Sequence, residues 1–326
     1  MDLVAGIDLG ATQTKFGLVN RKGELFAYQS IPTDTSVSYE EFFFTLSQKI
    51  KKLDVPVNGD FNITGVGVGT PTGNYIHGTI ENASNLNWPD HIPVAKLLEN
   101  YFSLPVSVCN DANAAAIGEL MFGVAKGKKN FICITLGTGL GSGIVLDGKV
   151  VLGKEGHAGE LGHITAVPEG RDCACGRKGC LETYASATGI VRTVIENSES
   201  ELKKSLLYKD KDNLDARIIT SAASQGDEIA LQAFDDTGKI LGRKLADVVA
   251  ILNTELIILS GGLAKSGELI RKPVIKYMNE HLLNIFQGSV EVKLSEISSK
   301  NTSILGTAAF MWLKIENMST LSTSTA

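Results

Sequence analysis

Residues 131–152 read FICITLGTGLGSGIVLDGKVVL. Phe131 to Leu136 is a short apolar run rich in β-branched residues, the pattern of a buried strand. Gly137 to Gly143 then offers four glycines in seven residues, and small residues let backbone N–H groups approach an anion closely. Ile144 to Leu146 resumes as a strand. Asp147-Gly148 is a hairpin turn signal, and Lys149 to Leu152 is a third strand. The same order stands at the N-terminus, where residues 4–19 read VAGIDLGATQTKFGLV. Val4 to Leu9 is a strand, Gly10 to Thr14 a loop of small residues, and Lys15 to Val19 a second strand. Asn20 to Gly23 then turns the chain into Glu24 to Ala27.

Strand, loop, strand, turn, strand thus occurs twice, which predicts two topologically related domains. A Rossmann reading fails, because its fingerprint needs a helix straight after the glycine loop and here strand residues follow both loops. The duplicated hairpin is the arrangement of an α/β, two-domain, actin-like ATPase (ribonuclease H-like) fold, whose two loops hold a nucleotide's phosphates in an interdomain cleft. The expected division is residues 1–112 with about 303–316 as a small domain, and residues 113–302 as a large one. Ser38-Tyr-Glu-Glu41 is a capping box opening a helix with apolar Phe43, Leu46, Ile50 and Leu53. Further helices are expected from Asn110-Asp111 to Phe122, from Glu228 to Leu252, over most of Ala264 to Leu283, and from Ile304 to Ile315. Leu256 to Ser260 is a strand ending at Gly261-Gly262. Residues 317–326, nearly all Ser and Thr at their end, are expected as a disordered tail.

Composition sets the outer bounds. A chain of 326 residues is too long for one ordinary core. With 43% hydrophobic and 21% charged residues it is not a disordered chain. A formal net charge of −5 advertises no nucleic-acid surface. No apolar run approaches the roughly 18 residues of a membrane span, and Asp2 and Asp8 without a basic segment are not a secretory leader. A cytoplasmic protein is expected. Three of the five cysteines fall within the eight residues Cys173–Cys180, unlike a secreted disulfide framework.

Four segments carry chemistry. In the first, Asp8 to Lys15, small residues expose N–H groups to a phosphate, Thr12 adds a hydroxyl, and Asp8 can hold Mg²⁺ through water; alone it is equally an ordinary hairpin. Paired with residues 136–143, the phosphate reading is the stronger. In the second, Asn110-Asp111-Ala-Asn113 follows an apolar strand, and local chemistry favours a helix N-cap, although a general base at a strand's C-terminal end fits as well. The third is His163 with Cys173, Cys175 and Cys180. Three thiolates and an imidazole form a tetrahedral zinc shell, with Gly176 and Gly179 supplying tight turns. A disulfide is disfavoured in cytosol, and free buried thiols cluster this tightly only rarely. No coordination position stays open, so the zinc is structural. The fourth is Glu160 and Glu182, which are surface charges or paired acceptors for sugar hydroxyls.

Gly156-His-Ala-Gly-Glu160-Leu-Gly-His163 and Cys173-x-Cys175-Gly-x-x-Gly-Cys180-x-Glu182 together resemble the signature of the ROK family of repressors, open reading frames and sugar kinases. The Asp8 to Lys15 loop, Asn82-Ala-Ser-Asn85-Leu, Asn110-Asp111-Ala-Asn, the 136–143 loop and Ser260-Gly-Gly-Leu-Ala264 fall in the family's order over roughly residues 3–316. The stretch from Glu182 to Ile190 is particularly similar to the family's bacterial glucokinases. The resemblance implies an ATP:hexose 6-phosphotransferase of carbohydrate metabolism, at the entry to glycolysis, with Asp111 as base on the 6-hydroxyl. It implies Asn85, Asn110, Asp111, Glu160, His163 and Glu182 around the sugar. Asp8, Gly10, Thr12, Lys15, Gly137, Thr138, Gly139, Gly261 and Gly262 would serve the nucleotide. ATP, Mg²⁺ and structural Zn²⁺ are the implied cofactors, and a homodimer or homotetramer the expected assembly. Glucose is the expected hexose, with N-acetylmannosamine, N-acetylglucosamine or fructose as alternatives. A helix-turn-helix repressor is not expected so close ahead of Asp8, and a non-sugar ATPase switch gives no reason for the zinc motif. Thr70-Pro71-Thr72-Gly73 stands where many relatives have a Gly-Pro pair.

Overall fold

The alternation of apolar residues sets three antiparallel strands at the N-terminus: β1 (Asp2–Leu9), β2 (Gln13–Val19) and β3 (Leu25–Pro32). The computed structural model describes residues 1–55, 60–82, 86–197, 199–297 and 302–323. Helix α1 (Tyr39–Lys51) starts at Ser38, whose hydroxyl accepts from the Glu41 amide at 3.2 Å, and buries Phe42, Phe43, Leu46 and Ile50. Leu53 lies beyond its last turn. After β4 (Asn62–Gly69) come the small strands β5 (Gly73–Asn74), β6 (Thr79–Glu81) and β7 (His91–Ile92). Helix α2 (Val94–Phe102), β8 (Val106–Cys109) and α3 (Asp111–Phe122) follow. The first sheet runs β3-β2-β1-β4-β8, with β1, β4 and β8 parallel.

The second half repeats this plan. It contains β9 (Phe131–Leu136), β10 (Leu140–Leu146), β11 (Lys149–Val150), α4 (Ala187–Ile195), α5 (Glu199–Leu202), α6 (Ala216–Ser224), α7 (Glu228–Leu252), β12 (Leu256–Ser260), α8 (Glu268–His281) and β13 (Glu291–Leu294). Its sheet runs β11-β10-β9-β12-β13, with β9, β12 and β13 parallel. Strand for strand, this is the order of the first sheet, so the repeat legible in the sequence is a repeat of topology. One expectation shrinks: Leu140 to Gly143 pair with Leu136 to Cys133 and belong to β10. The glycine-rich loop is therefore residues 137–139, because backbone pairing with β9 resumes at Leu140. Lys149 to Leu152 likewise contributes only the two-residue β11.

The last helix, α9 (Thr302–Thr323), returns to the first sheet. A column of glycines receives it. A Cβ on Gly6 or Gly67 would stand 2.5 or 2.1 Å from the Ile304 or Thr307 carbonyl oxygen, and one on Gly65 would meet Met311. Helix α3 crosses α9 where Gly118 meets the Gly306 Cα. That packing moves the expected domain boundary. The first compact unit comprises Met1–Gly127, Val150–Ala158 and the chain from Glu296 on, and the second comprises Lys128–Lys149 and Gly159–Ser295. The reason is that α3 buries Ala112 to Ala116, Ile117 and Glu119, which ties it to α9. The segment Val150–Ala158 joins the first unit as well, where the Asn74 side chain donates to the Glu155 carbonyl at 2.8 Å. Of the expected disordered tail, residues 317–323 instead continue α9, which runs to Thr323, since each residue added to a formed helix costs little; residues 324–326 lie outside the described residues. Among the described residues no helix is long and apolar enough to cross a membrane.

Candidate functional site

In the first unit, parallel β1, β4 and β8 deliver their C-terminal ends, and hence Asp8, Thr70 and Asn110, to one edge of the sheet. The loop after β1 closes with the Gly10 amide donating to the Gln13 carbonyl at 3.1 Å. Two more of its carbonyls are taken by Thr33, just past the end of β3. The Thr33 amide donates to the Thr12 carbonyl at 3.0 Å, and its hydroxyl donates to the Gly10 carbonyl at 2.7 Å. The Thr14 hydroxyl lies 2.8 Å from that of Thr33 and is therefore the donor of the pair. With carbonyls turned inward, Ala11 and Thr12 stand exposed. Asp8 Oδ2 accepts from the Ser303 hydroxyl at 2.6 Å and lies 3.6 Å from Lys15 Nζ. Neither Thr33 nor Ser303 was legible in the sequence, because each comes from a distant segment with no motif of its own.

Asn110 caps α3 as its residue type predicts, accepting from the Ala112 amide at 2.8 Å. Its Nδ2 also donates to the Pro71 carbonyl at 2.7 Å, which fastens the Thr70–Gly73 loop to the helix start. Asp111 follows in the first turn with an exposed side chain, at the positive end of the helix dipole. Asn110 is thus the cap, and the exposed Asp111 carboxylate accepts from the same Ala112 amide through Oδ1 at 2.8 Å. Burial, with the Asp111 charge adding, drives the Cys109 thiol far above its ordinary range, so this thiol is inert. Asn85 lies outside the described residues.

In the second unit two short 3₁₀ turns, Leu161–His163 and Leu181–Thr183, carry His163 and Glu182. His163 Nδ1 is 3.8 Å from Cys173 Sγ and 3.6 Å from Glu182 Oε1, while its Nε2 is 4.0 Å from Glu160 Oε2. Cys175 Sγ and Cys180 Sγ are 3.6 Å apart. Ligand atoms of His163, Cys173, Cys175 and Cys180 all lie within 4.8 Å of one another. The edges of a zinc tetrahedron with these ligands are about 3.5–3.8 Å, which the 3.6 Å between Cys175 and Cys180 and the 3.8 Å between His163 and Cys173 match, so the donor set suits that metal. Gly176 and Gly179 adopt φ of +85° and +71°, and a Cβ on Gly179 would overlap the Val167 carbonyl. Burial, with hydrogen bonds to Glu182 and the other thiols, pushes the Cys173 thiol up to about 12, whereas the Arg177 backbone amide holds Cys175 below its ordinary value.

The same turn region carries the second glycine loop. The Ala187 amide donates to the Gly137 carbonyl at 2.8 Å, and the Thr188 hydroxyl donates to the Thr138 carbonyl at 2.7 Å. Glu182 Oε2 accepts from the Leu140 amide at 3.4 Å, and a Cβ on Gly139 would sit 2.4 Å from that oxygen. At the end of β12, Gly261 takes φ +88°. A Cβ there would stand 2.7 Å from the Leu136 carbonyl. Gly261 and Gly262 are thus brought beside the start of the loop, and Glu160, His163 and Glu182 gather beside its end. Thr188 was not legible in advance, although its place in the first turn of α4 is a signal that could have found it.

The family model described as ROK family matches residues 4–314. A glucokinase of Halalkalibacterium halodurans is 37% identical over 90% of this chain and 90% of its own. An N-acetylmannosamine kinase of Shigella flexneri is 32% identical over 80% of this chain and 84% of its own. The crystal structure of a ROK family glucokinase from Streptomyces griseus in complex with glucose and AMPPNP has a TM-score of 0.77 and 32% identity, covering 94% of this chain and 98% of that one.

Proposed function

The chain belongs to the ROK family, and from that premise we propose that it is a glucokinase, transferring the γ-phosphoryl group of ATP to the 6-hydroxyl of glucose. The observation that carries this reading is the pair of carboxylates flanking His163. Glu160 stands 4.0 Å from one ring nitrogen and Glu182 stands 3.6 Å from the other. With Nδ1 given to a metal, Nε2 keeps the proton and becomes a donor. One sugar hydroxyl can then accept from Nε2–H and donate to Glu160, a pairing that suits a polyol and gives no purpose to a bare ATPase switch.

Asp111 would take the proton of the 6-hydroxyl as that oxygen attacks the γ-phosphorus and the bond to ADP breaks. The remaining amide N–H of Asn110, together with Asn85, Glu160, His163 and Glu182, would hold the other hydroxyls. Gly10 and Gly137, whose amides close their own loops onto the Gln13 and Gly139 carbonyls, would let the backbone pass close to the phosphates. Thr12, Lys15, Thr138 and Gly139 would present donors to them, and Gly261 and Gly262 would pass close to the adenosine. Asp8 would hold Mg²⁺ through water with Oδ1, since Oδ2 already accepts from Ser303. Mg²⁺ would neutralise charge on the phosphates. Zn²⁺ on His163, Cys173, Cys175 and Cys180 would fix the ring that contacts the sugar. Metal analysis should find one zinc per chain, lost with Cys175→Ser along with thermal stability; full activity in metal-free protein would remove the zinc from this account.

The deciding measurement is ADP release with a panel of hexoses. Glucose should give the highest kcat/KM. The identity to an N-acetylmannosamine kinase supports a second reading, in which an acetylated hexose wins by tenfold or more, about 1.4 kcal/mol of transition-state binding. ATP turnover independent of any sugar would refute both.

A further inference from the structure

Arg171 makes side-chain hydrogen bonds to Thr183, Gly189, Thr193 and Glu196, and neither metal nor sugar reading uses it. Its side chain is 8% exposed. Nε donates to Glu196 Oε1 at 2.8 Å and Nη2 to Glu196 Oε2 at 2.5 Å, a two-pronged pair. Nη1 donates to the Thr183 carbonyl at 2.7 Å and to the Gly189 carbonyl at 3.1 Å, and Nη2 donates to the Thr193 hydroxyl at 2.9 Å. The guanidinium lies over the Tyr184 ring at 4.4 Å, and the Tyr184 hydroxyl accepts from the Arg171 amide at 2.8 Å. All five N–H groups of a guanidinium point in fixed directions, and here they join three segments: the cysteine-bearing loop, the turn Leu181–Thr183 and α4 from Gly189 in its first turn to Glu196 at its C-terminal end.

Those segments have consequences beyond stability. Thr183 is the residue after Glu182. Gly189 follows Ala187 and Thr188, whose amide and hydroxyl hold the Gly137 and Thr138 carbonyls. One side chain therefore sets the position of both the carboxylate proposed for the sugar and the loop proposed for the phosphates. We infer that Arg171 is a positioning residue that couples hexose binding to ATP binding by locking Glu182 and the 137–139 loop into one rigid piece. The inference rests on the kinase reading above. An ordinary buried arginine would stabilise the fold and leave the two substrate affinities uncoupled.

The experiment is Arg171→Lys, which keeps the charge and loses the planar fork. The expected result is a roughly tenfold rise in KM for both hexose and ATP, with zinc content unchanged and a smaller change in kcat. Thr188→Val alone should raise KM for ATP. Combined with Arg171→Lys it should add less than the product of the two single effects, because both act through the same attachment. Amide exchange over residues 137–140 and 181–190 should quicken in Arg171→Lys. A lower melting temperature with both KM values unchanged would overturn the inference, as would fully multiplicative effects in the double variant. Should Arg171→Lys not fold, Glu196→Ala keeps the carbonyl contacts and loosens the fork, and it should raise both KM values together by a few-fold; no change would again overturn it. If the wild-type protein shows no hexose-dependent turnover, the kinase reading fails instead. Amide exchange in the variants still decides whether Arg171 locks the two segments.

Discussion

The two glycine-bearing loops occupy equivalent places in equivalent sheets, yet they are held in opposite ways. The loop after β1 is fastened from its own sheet's edge, by the amide and hydroxyl of Thr33, the residue after β3. The loop after β9 is fastened from outside its sheet, by Ala187 and Thr188 of α4 and by the Glu182 carboxylate. Duplication of a fold therefore does not duplicate the support of its loops. The first loop has a local anchor in Thr33. The second shares Glu182 with the cluster around His163, so its shape and the sugar site proposed above would be set together.

The largest effect expected is at a residue belonging to neither loop. Asp111→Asn should lower kcat by about 10²–10⁴-fold while both KM values stay near wild type, the signature of a lost general base. Near-normal kcat would leave the helix start as structure alone, and a shift in KM for ATP would blur the division between loops and base.

The comparison itself is tested by adding one methyl group to each loop. In Gly139→Ala the new carbon meets only the end of the Glu182 side chain. That carboxylate can swing aside, so stability should hardly change, but KM for hexose should rise roughly tenfold, about 1.4 kcal/mol of lost binding. In Gly10→Ala the new carbon stands 3.0 Å from the Gln13 carbonyl. KM for ATP should rise there and KM for hexose should not. Equal effects on hexose from both variants would show that the loops are not held independently.

The smallest effect sharpens the account of the first loop. Thr33→Val removes the donor to Gly10 and leaves the buried Thr14 hydroxyl without its acceptor. This costs about 1–3 kcal/mol, read as a lower denaturation midpoint with a modest rise in KM for ATP. An unchanged midpoint would mean that the backbone bond from Thr33 to Thr12 suffices to hold the loop.

What the sequence by itself determined was everything encoded within a few neighbouring residues. Strand and helix periodicity placed Phe131–Leu136, Glu228–Leu252 and Leu256–Ser260 at their observed limits. Side-chain capping chemistry located Ser38 and Asn110, and the spacing of Cys173, Cys175 and Cys180 brought those thiols to one point with His163. The strand–loop–strand repeat announced the paired sheets for the same reason, since each hairpin is a local object. Tertiary structure alone decided the rest. Ser303 on Asp8, Thr33 on Gly10 and Arg171 on Gly189 are partners far apart in the chain, and a lone Ser, Thr or Arg carries no mark of its eventual contact. The domain boundary moved past α3 because its alanine-rich face fits α9 at Gly118 and Gly306. An alanine run states only that another element can approach closely; which helix does so is settled when the chain has folded and the two backbones meet.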